Sequence, residues 1–388
     1  MGLKGVVILN WGTSFVFVAH ASSIFVTLRR MSFWNSTTAA PSFYMTLPFY
    51  TRRPEFLRTD MPPLAPESLT LGDGVTATIR RMFGTQASHV ATFLELYYCG
   101  DDWRIGGVGG WIGAYLRDPD VVALGLFQGD ALIATIFSVP IGTAAMSHGG
   151  LVRQMRVIEG LCVAPQYRSH GIAGFMIKHA DSFTSYKFGV SAHLWAKEID
   201  VAPYFNTALT TDIYGYTETG NAARKDAAVT LMDWVTFERL WISNSVNWVI
   251  EGSPPCIVIQ QPANIRRSLQ VFNGYGAVVV VSNTGRYSSK PSGERKQIYE
   301  IVWSGRYADG RLSPAEDTFD FKQLVDGVAA ALPFSGVLFG TISPTGGGLK
   351  AGWRDWVVGR SGAHALYIYN YMPPAFGACR IHMIREEI

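Results

Sequence analysis

The chain has 388 residues, 48% of them hydrophobic and 16% charged, with a formal net charge of +3 at pH 7. That length points to two domains or one double domain, and the apolar fraction excludes a disordered chain. So small a charge, with no Lys/Arg cluster interleaved with aromatics, gives no ground for a nucleic-acid partner.

Lys4 precedes an apolar run over residues 5–28 that contains Ala19-His20-Ala21, the small-residue pattern of a signal-peptide cleavage site. Asn10, Gly12, Thr13, Ser14 and His20 interrupt the run, which argues against a membrane-spanning helix. A start at Met31, with 1–30 as an extension, is the competing and preferred reading, because the rest of the chain reads as cytoplasmic. Val6 stands where a myristoylation signal wants Ser or Thr.

Residues 31–74, rich in Pro, Thr and Ser, read as an extended arm. Helical stretches over Ala87–Tyr98 and Trp111–Leu116 flank Gly106 to Gly110, read either as a lid over a groove or as a flexible linker. A hairpin follows, Val121–Phe127 turning at Gly129-Asp130 into Ala131–Ile141. Val152–Val163 is a β-branched strand ended by Pro165, and Ile172, Phe175, Met176 and Ala180 give helical spacing over Gly171–Phe183. Val190–Ala196 reads as a strand, Pro203–Leu209 as a short helix and Val229–Trp234 as a strand. Asn, Ser, Gly and Pro gather over Ile242–Pro255, which predicts a linker and divides the chain into 31–242 and 243–388.

In the second part, strands are expected at Cys256–Gln260, Ala277–Ser282, Gln297–Trp303, Gly336–Ile342, Ala365–Tyr371 and Cys379–Ile384, with a helix at Phe321–Leu332. Strands alternating with sparse helices predict a mixed α/β sheet. Cys99, Cys162, Cys256 and Cys379 lie far apart with no CxxC pair, and the histidines form no HExxH. Neither a metal site nor a disulfide framework is expected, and a reducing compartment is.

The stretch that carries chemistry runs Val157-Ile158-Glu159-Gly160-Leu161-Cys162-Val163-Ala164-Pro165-Gln166-Tyr167-Arg168-Ser169-His170-Gly171-Ile172-Ala173 and reads strand, short loop, helix. In Arg168-x-x-Gly171-x-Ala173 small residues stand where the loop enters the helix and let backbone approach a ligand. The first amides of a helix have no internal partner, and the helix dipole adds positive potential there. Together they make a pyrophosphate cradle, to which Arg168 and Ser169 add side-chain donors. The competing reading is an ordinary strand–turn–helix with a convenient glycine.

This stretch resembles motif A of the GNAT superfamily, which binds the pyrophosphate of an acyl-CoA. Further stretches resemble the N-myristoyltransferase family in order along the chain. Phe43-Tyr44-Met45-Thr46-Leu47-Pro48-Phe49 is similar to F-W-x-T-Q-P-V, and Leu69-Thr70-Leu71-Gly72-Asp73 to L-D-L-G-D. Glu159 to Val163 followed by Arg168 to Ala173 is similar to N-F-L-C-V followed by L-R-S-K-R-L-A-P. Tyr367-Ile368-Tyr369-Asn370-Tyr371 and Phe376-Gly377-Ala378 resemble Y-L-Y-N-W and M-G-A.

The resemblance implies tandem GNAT-like halves around a saddle-shaped mixed sheet flanked by helices. It implies acyl-CoA, specifically myristoyl-CoA, as co-substrate on the first half and an N-terminal glycine peptide mainly on the second, with no permanently bound cofactor. Acyl-CoA contacts then fall on Phe43, Tyr44, Leu161, Cys162, Val163, Arg168, Ser169, His170, Gly171, Ile172 and Ala173. The thioester carbonyl meets backbone amides at Gly160 and Leu161, and the base is the C-terminal carboxylate, here that of Ile388. A cytoplasmic monomer is expected.

Some residues depart from the family pattern. Gly160 replaces a phenylalanine and Gly171 a basic residue. Measured from Tyr369-Asn370 the chain runs two residues past the usual end, which makes Glu386 a rival for the base position. Leu194-Trp195-Ala196-Lys197 lacks the family's T-x-G. A GNAT acetyltransferase and an inactive acyl-CoA- or peptide-binding module are the rival functions.

Single residues carry two readings each. Cys162 reads as a buried small hydrophobe rather than a nucleophile, and His170 as a CoA contact or a solvated side chain. Asp101-Asp102 read as a hold on the peptide or a solvated turn. Tyr204-Phe205 and the alternating Tyr367, Tyr369 and Tyr371 read as core or as the lining of the acyl channel and the peptide groove respectively.

Overall fold

The computed structural model describes residues 55–56, 66–72, 74–100, 103–146, 150–189, 192–198, 210–212, 214–220, 226–251, 256–260, 269–289, 295–314, 322–333, 336–341, 357–358, 364–369, 371–372 and 380–383. Phe43, Tyr44, Asp101, Asp102, the expected helix Pro203–Leu209, Phe376 to Ala378 and Ile388 lie outside them.

In chain order the strands are β1 (Glu55–Phe56), β2 (Ser68–Thr70), β3 (Thr76–Arg81), β4 (Trp103–Ile105), β5 (Val122–Gln128), β6 (Ala131–Met146), β7 (Gly150–Val163), β8 (Ala192–Glu198), β9 (Thr210–Asp212), β10 (Tyr214–Glu218) and β11 (Thr230–Met232). They continue as β12 (Cys256–Gln260), β13 (Leu269–Gly274), β14 (Ala277–Ser289), β15 (Arg295–Ala308), β16 (Arg311–Pro314), β17 (Gly336–Thr341), β18 (Val357–Val358), β19 (His364–Tyr369), β20 (Tyr371–Met372) and β21 (Arg380–Met383). The helices are α1 (Ala87–Tyr97), α2 (Gly109–Arg117), α3 (Ile172–Phe188), α4 (Trp234–Glu251) and α5 (Lys322–Ala331).

The expected mixed α/β architecture is present. Among the described residues one sheet has ten strands, along the path β2-β3-β5-β6-β7-β8-β19-β9, with β12 on β6 and β21 on β12. The other has nine, β11-β13-β14-β15-β17-β10-β18, with β16 on β15 and β4 on β14. Most pairs are antiparallel, but β7–β8, β12–β21 and β15–β17 are parallel, so both sheets are mixed.

Alternation along the strands explains the layers. In β5, Val122, Leu124 and Leu126 pack toward Ile172, Met176 and Ala180 of α3, whereas Ala123 and Phe127 pack toward Val90, Leu94 and Ile112 of α1 and α2. In β14, Val279 and Val281 join Leu324, Val325 and Val328 of α5, while Val278 and Val280 join Phe237 and Trp241 of α4. Each sheet is therefore sandwiched between helices, as a period of two on a fully buried strand requires.

The stretch expected as a linker differs. α4 runs through residues 242–251, and Trp234, expected to close a strand, opens this helix. Asp233 caps it, accepting from the Thr236 N–H at 2.8 Å and the Thr236 hydroxyl at 2.9 Å. Packing of Phe237 and Trp241 on Trp303 outweighs the weak helix propensity of Asn and Ser. Strands also cross between the two parts of the chain. β4 and β10 belong to the second sheet, and β12, β19 and β21 to the first.

Candidate functional site

β7 departs from regularity at the residues the sequence singles out. Its register against β6 pairs Thr135 with Cys162 but Phe137 with Glu159, so Gly160 and Leu161 together face one residue. This is a β-bulge, with Gly160 in the left-handed region at φ +54°. The bulge reverses the strand's alternation. Before it, Met155 and Val157 face the α1/α2 core and Ile158 faces α3; after it, Cys162 and Ala164 face α1/α2 while Leu161 and Val163 face α3.

Two neighbours pin the bulge. The Thr135 hydroxyl donates to the Gly160 carbonyl at 2.8 Å. The ring of Phe137 fills the space beside the Gly160 Cα, so that a Cβ there would lie 2.5 Å from Phe137 Cδ2. Only glycine satisfies both the backbone and that ring.

β7 and β8 pair in parallel over Met155↔Ala192, Arg156↔His193 and Val157↔Leu194 only. Both strands continue past Val157 and Leu194, so they part just before the bulge and open a wedge in the sheet.

The chain then turns through Pro165–Tyr167, with Tyr167 N–H donating to Ala164 O at 2.9 Å and Arg168 N–H to Pro165 O at 3.2 Å. Ser169 (φ 69°) and Gly171 (φ 75°) are both left-handed, and Gly171 is the N-cap of α3. No acidic residue occupies the first turn of α3. Its leading amides thus form an uncompensated positive end, suited to an anion. The Arg168 Nε–H donates to the Val163 carbonyl at 3.1 Å, which ties the guanidinium to the end of β7.

Leu161 of the bulge, the turn and the helix start line one cavity of about 560 Å³, and Gly160 is not in its wall. Leu161, Cys162, Val163, Arg168, Ser169, Gly171, Ile172 and Ala173, all expected at the site, are in its wall. His170 is not in that wall. It is exposed, its Nδ1 is 3.0 Å from Arg168 O, and its ring lies over Gly72. Cys162 is buried, and burial pushes its thiol up to about 12, so it packs rather than reacts.

Residues the sequence reading passed over complete the wall. Tyr97, Tyr98 and Cys99 at the end of α1, with Trp103 on β4, face the cavity. Tyr97 packs edge-on against Phe93 at 5.1 Å and Tyr98 against Trp103 at 5.5 Å. The aromatic pair at the end of a helix was the available signal. The glycine-rich segment is neither lid nor slack linker. Glu95 Oε1 accepts from the Gly107 and Val108 N–H groups, Gly106 N–H donates to Gly285 O at 3.0 Å, and Gly109 already belongs to α2.

Among the described residues no group of three His, Cys, Asp or Glu side chains is placed to hold a metal ion, and no helix is long and apolar enough to cross a membrane.

No protein-family model matches the chain, and no curated protein matches it in sequence. Solved structures do. N-myristoyltransferase of Saccharomyces cerevisiae with bound myristoyl-CoA and inhibitors superimposes with a TM-score of 0.62 at 12% identity, covering 91% of this chain and 92% of that one. A second structure of the yeast enzyme with bound myristoyl-CoA gives 0.61 at 14% identity, covering 88% and 93%. At such identities the likeness is one of fold, and it extends over nearly the whole of both chains.

Proposed function

We propose that the chain is an acyl-CoA-dependent N-acyltransferase, which moves a myristoyl group from CoA to an N-terminal glycine. The observation that carries this reading is a cavity that joins Leu161 of the bulge to the left-handed Ser169/Gly171 entry into α3. A bulge leaves its extra residue outside the ladder. In the parted wedge beside β8 its amide is a donor for the oxygen of a thioester. The helix start and Arg168 take the pyrophosphate.

On this reading residues 31–242 hold the acyl-CoA and 243–388 the acceptor, and the protein works in the cytoplasm, where scattered cysteines stay reduced. The finer choice of myristoyl over shorter acyl groups is supported by the motif order in the sequence and by the yeast enzyme's bound myristoyl-CoA.

The test is calorimetric titration of residues 31–388 with myristoyl-CoA and acetyl-CoA, followed by transfer to a peptide with N-terminal glycine. Tight myristoyl-CoA binding with transfer is the expected result. Binding of acetyl-CoA alone would replace the acyl group in the reading, and no binding of either would end it.

A further inference from the structure

We infer that Arg286, on β14 of the second sheet, is a positioning residue for the acyl-CoA cavity and acts by holding Trp103 against the pantetheine arm of CoA. This role rests on the acyl-transfer reading above and extends it to a strand far from the phosphate loop.

Trp103 reaches the cavity wall from the second sheet. Leu161 to Val163 come to the wall on β7, Gly171 to Gly174 at the start of α3, and Tyr97 to Cys99 at the end of α1, but Trp103 lies on β4, which pairs with β14. The register sets Trp103 opposite Ser288 and Ile105 opposite Arg286. Side chains at 103, 105, 286 and 288 therefore share one face. The Arg286 guanidinium accordingly lies over the Trp103 ring, 4.9 Å from its centre.

β14 bends to make that contact. Its ladder to β15 slips between Asn283 and Tyr287, and Gly285 there is left-handed at φ +64°. A bulge of this kind re-aims the side chain beside it. The Arg286 N–H donates to the Thr284 hydroxyl at 3.2 Å, and the Gln297 side-chain amide donates to the Arg286 carbonyl at 3.1 Å, so the backbone is fixed on both sides of the guanidinium. The Arg286 Nε is withdrawn from solvent. Burying part of a cation is costly, and joining β4 to β14 does not require it. The ladder and the Gly106 N–H bond to Gly285 O at 3.0 Å already join them. What the cation adds is attraction to the indole face.

The indole is confined elsewhere as well. Tyr98 meets it edge-on at 5.5 Å, and Gly100 packs so close that a Cβ there would lie 2.2 Å from Trp103 Nε1. The surface that remains belongs to the cavity wall. With the pyrophosphate at the start of α3 and the thioester at the bulge, the arm of CoA between them runs past Cys162 and Val163. Tyr97 and Tyr98 pack on the core that contains Cys162, which sets the aromatic wall along that middle stretch. A ring already pinned in one orientation offers its surface to the arm without a further loss of side-chain freedom.

Calorimetry with CoA, acetyl-CoA and myristoyl-CoA compares wild type, Arg286→Met, Arg286→Lys, Trp103→Leu and the double variant Trp103→Leu/Arg286→Met, with thermal unfolding alongside. Arg286→Met should weaken all three ligands by one common factor of about two- to thirtyfold, the range of a cation–π contact. Arg286→Lys keeps a cation over the ring and should lose less. In the Trp103→Leu background, Arg286→Met should add less than about twofold. In transfer to a glycyl peptide, the KM for myristoyl-CoA should rise with Kd while kcat stays within about threefold. Equal losses from Arg286→Met with and without Trp103 would make the arginine a strut of β14 and overturn the inference. Unchanged affinity in Arg286→Met would overturn it too, as would a loss confined to myristoyl-CoA, which would move Trp103 from the arm to the acyl chain. If wild type binds none of the three ligands, the acyl-transfer reading falls and this role with it; wild-type binding with additive variants removes this role alone.

Discussion

Replacing Gly160 by alanine strains the fold in two separate ways. The residue sits at φ +54°, a conformation that costs a residue with a Cβ about 1–2 kcal/mol. The new Cβ would also lie 2.5 Å and 2.7 Å from Phe137 Cδ2 and Cε2, and Phe137 is fully buried with no room to retreat. Overpacking of that kind costs about 1–3 kcal/mol, so the total is about 2–5 kcal/mol. Gly171→Ala is the internal control. It has φ +75° but nothing within 4 Å of its Cβ, so it bears the backbone cost of about 1–2 kcal/mol alone. Phe137→Leu removes the ring edge, and in the double variant with Gly160→Ala about 1–3 kcal/mol of coupling should appear. Denaturant unfolding of the four variants and wild type measures all of this, with acyl-CoA titration alongside. Equal destabilisation by Gly160→Ala and Gly171→Ala, or no coupling to Phe137, would refute the claim that the ring pins the bulge.

Other perturbations give equally definite outcomes. Cys162, held near 12, should stay unlabelled by thiol reagents at pH 8 in the native protein, and Cys162→Ala should keep acyl-CoA binding; rapid native labelling at that position would contradict its burial. Arg156 is 1% exposed, donates to Ser138 Oγ at 2.9 Å and Ser138 O at 2.8 Å as well as to Asp120 O, and stacks 4.5 Å from the centre of the Phe188 ring. Arg156→Met should destabilise by about 2–4 kcal/mol in denaturant unfolding, because buried acceptors lose a charged donor. Asp233 is held below the usual carboxylate range by the Thr236 N–H and hydroxyl that donate to it. Its contribution is complete above the unfolded value of about 3.9 and is lost as pH falls through the lower folded value. The melting-temperature gap between wild type and Asp233→Ala should therefore be constant from pH 7 to 5 and close at lower pH.

What the sequence made legible was local. Val122–Gln128, turning at Gly129-Asp130 into β6, follows from an apolar run and a turn pair, and Cys256–Gln260 from β-branched residues. The loop into α3 was legible because Arg168, Ser169 and Gly171 are close in sequence and their backbone geometry is set by the turn itself. The wall formed by Tyr97, Tyr98 and Trp103 was not, because it depends on α1 and β4 being carried to the end of β7 by the fold. The bulge was hidden for a related reason. Ile158 to Val163 reads as one unbroken strand, and only the ring of Phe137 on the next strand reveals why glycine stands at 160. α4 was missed because its Asn and Ser residues resemble a linker, while its stability comes from Trp303 on a strand far along the chain.

The outer edge of β8 is closed by β19, which pairs His364 with Glu198 and continues to Tyr369 with His193. Between these two strands in the chain lie β10, β11 and β13 to β18, that is, most of the second sheet. During synthesis β8 therefore waits, with one open flank, until that whole intervening sheet has been made. Unpaired flanks invite association with other chains, and so late a closure demands a long loop to be drawn in. A ribosome that stops before His364 releases a chain whose wedge has one unsupported wall. The wedge thus gains its second support late in synthesis, although the residues that line the cavity, from Tyr97 to Gly174, lie in the first half of the chain.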